Sequence, residues 1–249
     1  MRRHMLKSED EEMQGIRVRG LEVTRLEGLT DAMFGFAITL LIVSLEPPTS
    51  FPALYNLMMG IPAFAVTFLL MIFIWFWHYR YCRQFGLNTG KVIWANGFLL
   101  FLVLLFVYPL KFLATVVIDL VFLEGLFGLN MPDVINLEGM NMPLLHTFYG
   151  LGFAAVFFCF AWLYKLALEE KDTLDLTPYE ELSTRVHANM FLLVAAVPLM
   201  TVVMVWLPIP MAPMWAGMAN FLIWPVTAFY GRKMQPQLSA LKQAQGAAA

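Results

Sequence analysis

Asp31 is followed by fourteen residues, Ala32 to Leu45, that carry no charge. A run of that length is too short to cross a hydrocarbon core, which takes about 20 residues as a helix. A helix that crosses here must take in Asp31, and with it Glu27 and Arg25. A carboxylate in lipid is costly, so Asp31 must face protein or water, and an intramembrane carboxylate beside an arginine points to a functional site. Arg25 and Asp31 are six positions apart and fall on different faces of one helix, so each needs a partner from another segment or subunit. The string Trp75-Phe76-Trp77-His78-Tyr79-Arg80 offers one. An interfacial belt explains its aromatics and Arg80 but leaves His78 over. Asn96 offers another, since a lone Asn in an apolar segment ties helices together. The three helices are therefore expected to meet in a hydrogen-bonded knot around Asp31 and Arg25. A different chemistry open to the same groups is a proton relay through Asp31 and His78 in a secondary transporter. The chain shows no internal repeat of the kind many transporters carry.

The elements that must position these groups follow from the charges. The chain has 249 residues, 60% hydrophobic and 14% charged, where soluble domains are nearer half and a quarter. Sixteen Lys and Arg nearly balance eighteen Asp and Glu, which gives no footing for nucleic acid. Two cysteines, Cys82 and Cys159, make neither a disulfide framework nor a Cys-rich metal site. No charge lies between Glu46 and Arg80, Lys91 and Lys111, Glu138 and Lys165, or Arg185 and Arg232, and Pro208, Pro210 and Pro213 divide the last run. The fold class is all-α: a polytopic membrane protein with six transmembrane helices at about 25–46, 54–79, 91–117, 142–166, 184–206 and 211–231. Residues 1–24 are a cytoplasmic N-terminal segment, 25–233 the transmembrane domain and 234–249 a cytoplasmic tail. Thr177-Pro178-Tyr179-Glu180 reads as a capping box, so the fifth helix starts before its span.

Basic residues collect on the cytoplasmic side. Fifteen of the sixteen fall on one side, which places both termini in the cytoplasm of a multi-pass protein of the cell membrane. The exception is Lys111, expected to snorkel from the third span to the outer interface. Glu46, Asp119, Glu124, Asp133 and Glu138 lie on the outer side as loop charges or a weakly acidic mouth, and the long apolar loop 119–141 lies on the membrane or over an entrance.

One face of the first span carries Phe36, Thr39, Leu40 and Val43, and another carries the small residues Gly28, Ala32, Gly35 and Thr39. Here the residues resemble a family. Arg25-Leu26-Glu27-Gly28-Leu29-Thr30-Asp31 resembles the Arg-x-x-x-Phe-Ser-Asp signature of the transmembrane protein 175 family of potassium channels. Leu29 and Thr30 stand where the family has Phe and Ser. Residues 32–41, the Trp75–Arg80 string, Asn96 and Pro109 continue the likeness through the first three spans. The resemblance implies a potassium-permeable channel of the bacterial single-repeat type, a homotetramer with its first helix lining the pore. It implies no Thr-Val-Gly-Tyr-Gly filter, and none occurs. It implies a constriction of apolar side chains, with Phe36 at a position usually aliphatic, Leu40 and Val43 beyond it, and Thr39 supplying a hydroxyl. Arg25, Thr30, Asp31, Trp75, His78 and Asn96 would then anchor the helix rather than touch the ion.

The remaining function classes find little support. His4, His78, His146 and His187 are scattered, with no His-Glu-x-x-His and no Gly-x-Ser-x-Gly, so no enzyme is expected. Seventeen methionines form no repeated metal-binding cluster. No cofactor and no partner beyond lipid and further copies of the chain is expected, potassium being only the permeant ion.

Overall fold

A computed structural model describes residues 12–13, 16–45, 47–118 and 141–248. Two short strands, β1 (Glu12–Met13) and β2 (Ile16–Arg17), pair antiparallel. The α-helices among the described residues are α1 (Arg25–Val43), α2 (Phe51–Phe85), α3 (Gly90–Val117), α4 (Met142–Glu169), α5 (Pro178–Val205), α6 (Ala212–Ala219) and α7 (Ile223–Ala248). Helices α1 to α5 are long and apolar enough to cross a membrane. At 1.5 Å per residue α1 is only about 28 Å long, barely a crossing, whereas α2, with 35 residues, is about 52 Å and must project beyond the core.

Local chemistry sets the helix ends. Thr24 Oγ1 accepts from Glu27 N at 3.1 Å and starts α1. Ser50 Oγ does the same for α2, accepting from Ala53 N. At the head of α4, Asn141 accepts from Leu144 N at 3.0 Å. The box before α5 forms in both directions, with Thr177 Oγ1 accepting from Glu180 N and Glu180 Oε2 from Thr177 N.

The sixth span departs from expectation. It is two helices, α6 and α7, separated by a 3-10 turn at Asn220–Leu222. Pro225 has no N–H for the carbonyl of Phe221 and its ring crowds that carbonyl, which accounts for the break. Past it, α7 runs on through the segment read as a tail.

The chain divides into two compact units, with boundaries inside α1, α2 and α3. The first comprises Met1–Glu27, His78–Leu99 and Asn141–Ala249. Its core is the α4–α5 pair, with α6 and α7 on α5. Phe160, Tyr164, His187 and Phe191 stack within it at centroid distances of 5.2–5.5 Å. An N-terminal strap, residues 16–20, lies against this unit with Ile16, Val18 and Gly20 buried. Arg19 N and Gly20 N both donate to Arg83 O at 3.1 Å, and Arg83 Nη1 donates to Gly20 O. A Cβ on Gly20 would collide with the backbone carbonyl of Cys82, so only glycine allows this approach. Gly86, at φ +59, ends α2 beside it. The other side of the strap is held by Glu180, whose carboxylate accepts from Arg17 N at 2.8 Å and from Arg19 Nη2 at 2.8 Å. The second unit comprises Gly28–Trp77 and Leu100–Met140. The outer acids Glu46, Asp119, Glu124, Asp133 and Glu138, and the loop before Asn141, lie outside the described residues.

Candidate functional site on the first helix

Helix α1 buries one narrow stripe. Glu27, Thr30, Phe34, Ala37 and Leu41 recur at spacings of three and four, and all are buried. The opposite face is open in the protomer. It carries Gly28, Asp31, Ala32, Gly35, Phe36, Thr39 and Val43, with Phe36 54% and Val43 68% exposed, and Leu40 half-buried at its edge. A Cβ on Gly28 or Gly35 would meet nothing within 4 Å among the described residues, so no close approach there requires glycine. A lipid-facing surface does not suit this composition. A carboxylate facing lipid is costly, and small residues offer lipid little apolar area.

Polar groups on this face are already oriented. Trp75 Nε1 donates to Asp31 Oδ1 at 2.8 Å, which satisfies one carboxylate oxygen and fixes α1 against α2 within the second unit. Thr39 Oγ1 donates to the carbonyl of Gly35 at 2.9 Å. Its hydrogen is thereby turned into the helix, and its lone pairs point outward, as a cation ligand requires.

The structure places the residues expected to anchor α1 in two groups. Asp31 and Trp75 are bonded to each other, and Thr30 is fully buried, all in the second unit. In the first unit, buried His78 and Asn96 line one small cavity together with Thr24, Glu27 and Cys82. Cys82 Sγ lies 3.7 Å from the imidazole. The carboxylate on this cavity is Glu27's, a residue that sequence reading treated only as part of the helix. Its signal was present, since Thr24-x-x-Glu27 is a helix-start pattern whose third position turns inward. Arg25 is exposed at the first residue of α1 and enters no ion pair among the described residues. Lys111 does not merely snorkel. Its Nζ donates to Ser44 Oγ at 2.8 Å and Ser44 O at 3.1 Å, just past the end of α1.

Five helices long and apolar enough to cross a membrane define an integral membrane protein, and the first of them leaves a face of small and polar residues exposed among the described residues. Comparison with known proteins gives the particular family. The family model described as "Endosomal/lysosomal potassium channel TMEM175" matches residues 25–107, the stretch of α1 to α3. A protein of Marivirga tractuosa named potassium channel is 35% identical over 225 residues, covering 86% of this chain and 88% of that one. The crystal structure of a threonine-to-alanine variant of the potassium channel MtTMEM175, in complex with a nanobody–MBP fusion, superposes with a TM-score of 0.81 at 32% identity, over 90% of this chain and 99% of that chain. A lysosomal potassium-selective channel TMEM175 homolog from Chamaesiphon minutus gives a TM-score of 0.47 at 19% identity, over 84% and 96% of the two chains. The chain belongs to the TMEM175 family of potassium channels.

Proposed function

We propose that the protein is a potassium-permeable cation channel, a homotetramer whose four α1 helices surround the pore with Phe36, Thr39, Leu40 and Val43. The observation that carries this reading is the open face of α1, opposite the buried stripe from Glu27 to Leu41. Four Phe36 rings near an axis make a narrow apolar constriction, which gates by dewetting. Four Thr39 oxygens, their hydrogens held by Gly35, replace part of the hydration shell of an ion that has passed the rings. No Thr-Val-Gly-Tyr-Gly filter is involved, and potassium is the permeant ion rather than a resident cofactor. In this reading both termini are cytoplasmic and the channel sits in the cell membrane, with 1–24 and 234–249 flanking the channel domain 25–233; the one-sided distribution of basic residues supports the orientation. Arg25, Thr30, Asp31, Trp75, His78 and Asn96 hold α1 in place and do not touch the ion.

Recording from the purified protein in planar bilayers under opposing potassium and sodium gradients tests this. Sustained unitary currents reversing toward the potassium equilibrium potential are expected. Potassium flux without unitary currents, coupled to proton movement and lost in Asp31→Asn or His78→Ala, would instead establish the transporter with a proton relay. Asp31→Asn keeps an acceptor for Trp75 Nε1 but loses the charge, and hydrogen bonds to an ionised group are roughly twice as strong. This variant is expected to weaken the tetramer in gel filtration while leaving the reversal potential unchanged. A stable tetramer with altered ion preference would place Asp31 in the ion path.

A further inference from the structure

We propose that Lys111 is a positioning residue for the pore: its ammonium closes the C-terminal turn of α1 and thereby sets Leu40 and Val43. This rests on the reading of α1 as the pore helix. The last four carbonyls of a helix have no partner inside it, and within a membrane each must be satisfied by protein. At the end of α1, Leu40 O accepts from Ser44 N at 3.0 Å and Ile42 O from Leu45 N at 2.9 Å. Leu41 O accepts from Ser44 Oγ at 2.6 Å. Ser44 thus serves two of these carbonyls, and Ser44 is itself fixed by Lys111, whose Nζ donates to both its Oγ and its O. The Ser44 hydroxyl gives its hydrogen to Leu41 and takes one from Lys111, which defines a single rotamer. No carboxylate pairs with Lys111 among the described residues. Its charge lies at the negative end of the α1 dipole, where a cation is stabilising.

The arrangement matters because of what α1 lacks. Val43 is exposed and Leu40 is half-buried, so among the described residues little packs on the pore side of the final turn. A helix barely long enough to cross has no spare turn to absorb fraying at its end. Lys111 is also the single basic residue away from the four basic clusters, a placement that the orientation of the chain does not explain.

The test compares wild type, Lys111→Met, Lys111→Arg and Ser44→Ala as full-length tetramers in bilayers. Lys111→Met is expected to lower the potassium-over-sodium permeability ratio by about threefold or more and to add open-channel flicker, with gel-filtration position and unfolding temperature near wild type. Lys111→Arg, which keeps charge and donors, is expected to restore most of the ratio. Ser44→Ala leaves the charge and the bond to the Ser44 carbonyl but removes the hydroxyl that joins Lys111 to Leu41 O, and is expected to lower the ratio in the same direction as Lys111→Met, by less. It carries the test if Lys111→Met does not assemble. Wild-type permeability ratios in both Lys111→Met and Ser44→Ala overturn the assignment. Absence of unitary currents in the wild type overturns the channel reading itself, a separate failure.

Discussion

Phe36→Ala channels are expected to conduct several-fold better than wild type and to discriminate less between potassium and sodium. The Phe36 ring is the largest side chain on the open face of α1, and more than half of it touches nothing in its own protomer. Truncation widens an apolar neck in which water is unstable, and a wetted neck passes hydrated ions that the narrow one refuses. Folding of the protomer is expected to change little, because cavity costs arise at buried side chains packed on all sides. Unitary conductance and reversal potential in planar bilayers measure both effects. Wild-type values for both would remove Phe36 from the constriction.

The second large effect concerns stability rather than conduction. The Glu180 carboxylate is 1% exposed and accepts from Arg17 N, Arg19 Nη1, Arg19 Nη2 and Thr177 N at 2.8–3.1 Å. Its loss strands a largely buried guanidinium and opens the head of α5. Removing one partner of a buried pair costs about 3 kcal/mol or more. For a chain of this size that corresponds to a fall in Tm of about 6–12 °C. Glu180→Ala in detergent is expected to show such a fall, with the permeability ratio of surviving channels unchanged. Glu180→Gln keeps the acceptor for the helix cap and is expected to lose less. Arg19→Ala is also expected to lose less, since Glu180 retains Thr177 N and Arg17 N. An unchanged melting profile in Glu180→Ala would show that the strap adds nothing to stability.

The sequence held most of the span positions, because charge scarcity is itself the condition for crossing a membrane. The start of α5 was legible where the box at Thr177 marks it. The break in the sixth span was not, since apolarity alone does not register the α-helical bond to Phe221 O that Pro225 cannot make. On α1 the spacing of Phe36, Thr39, Leu40 and Val43 was visible, but periodicity cannot say which of two apolar faces is left open. The buried stripe from Glu27 to Leu41 decides that. Asp31 was expected to anchor α1 through Trp75, His78 and Asn96. Trp75 bonds to it, and the carboxylate on the cavity of His78 and Asn96 is that of Glu27. A short-range pattern shows that Glu180 caps its own helix. It holds no trace of the strap that the same carboxylate receives from the far end of the chain.

The strap also has a calendar. Gly20 meets Arg83 across 63 positions, whereas Arg19 meets Glu180 across 161. As the chain emerges from the ribosome, the first contact becomes available when α2 is complete and the second only once α5 has begun. The contacts of the segment leading into α1 thus become possible in two stages, first with the end of α2 and then with the head of α5. A nascent chain halted before Pro178 would hold α1 by the earlier clasp alone, with Arg17 and Arg19 still waiting for their carboxylate.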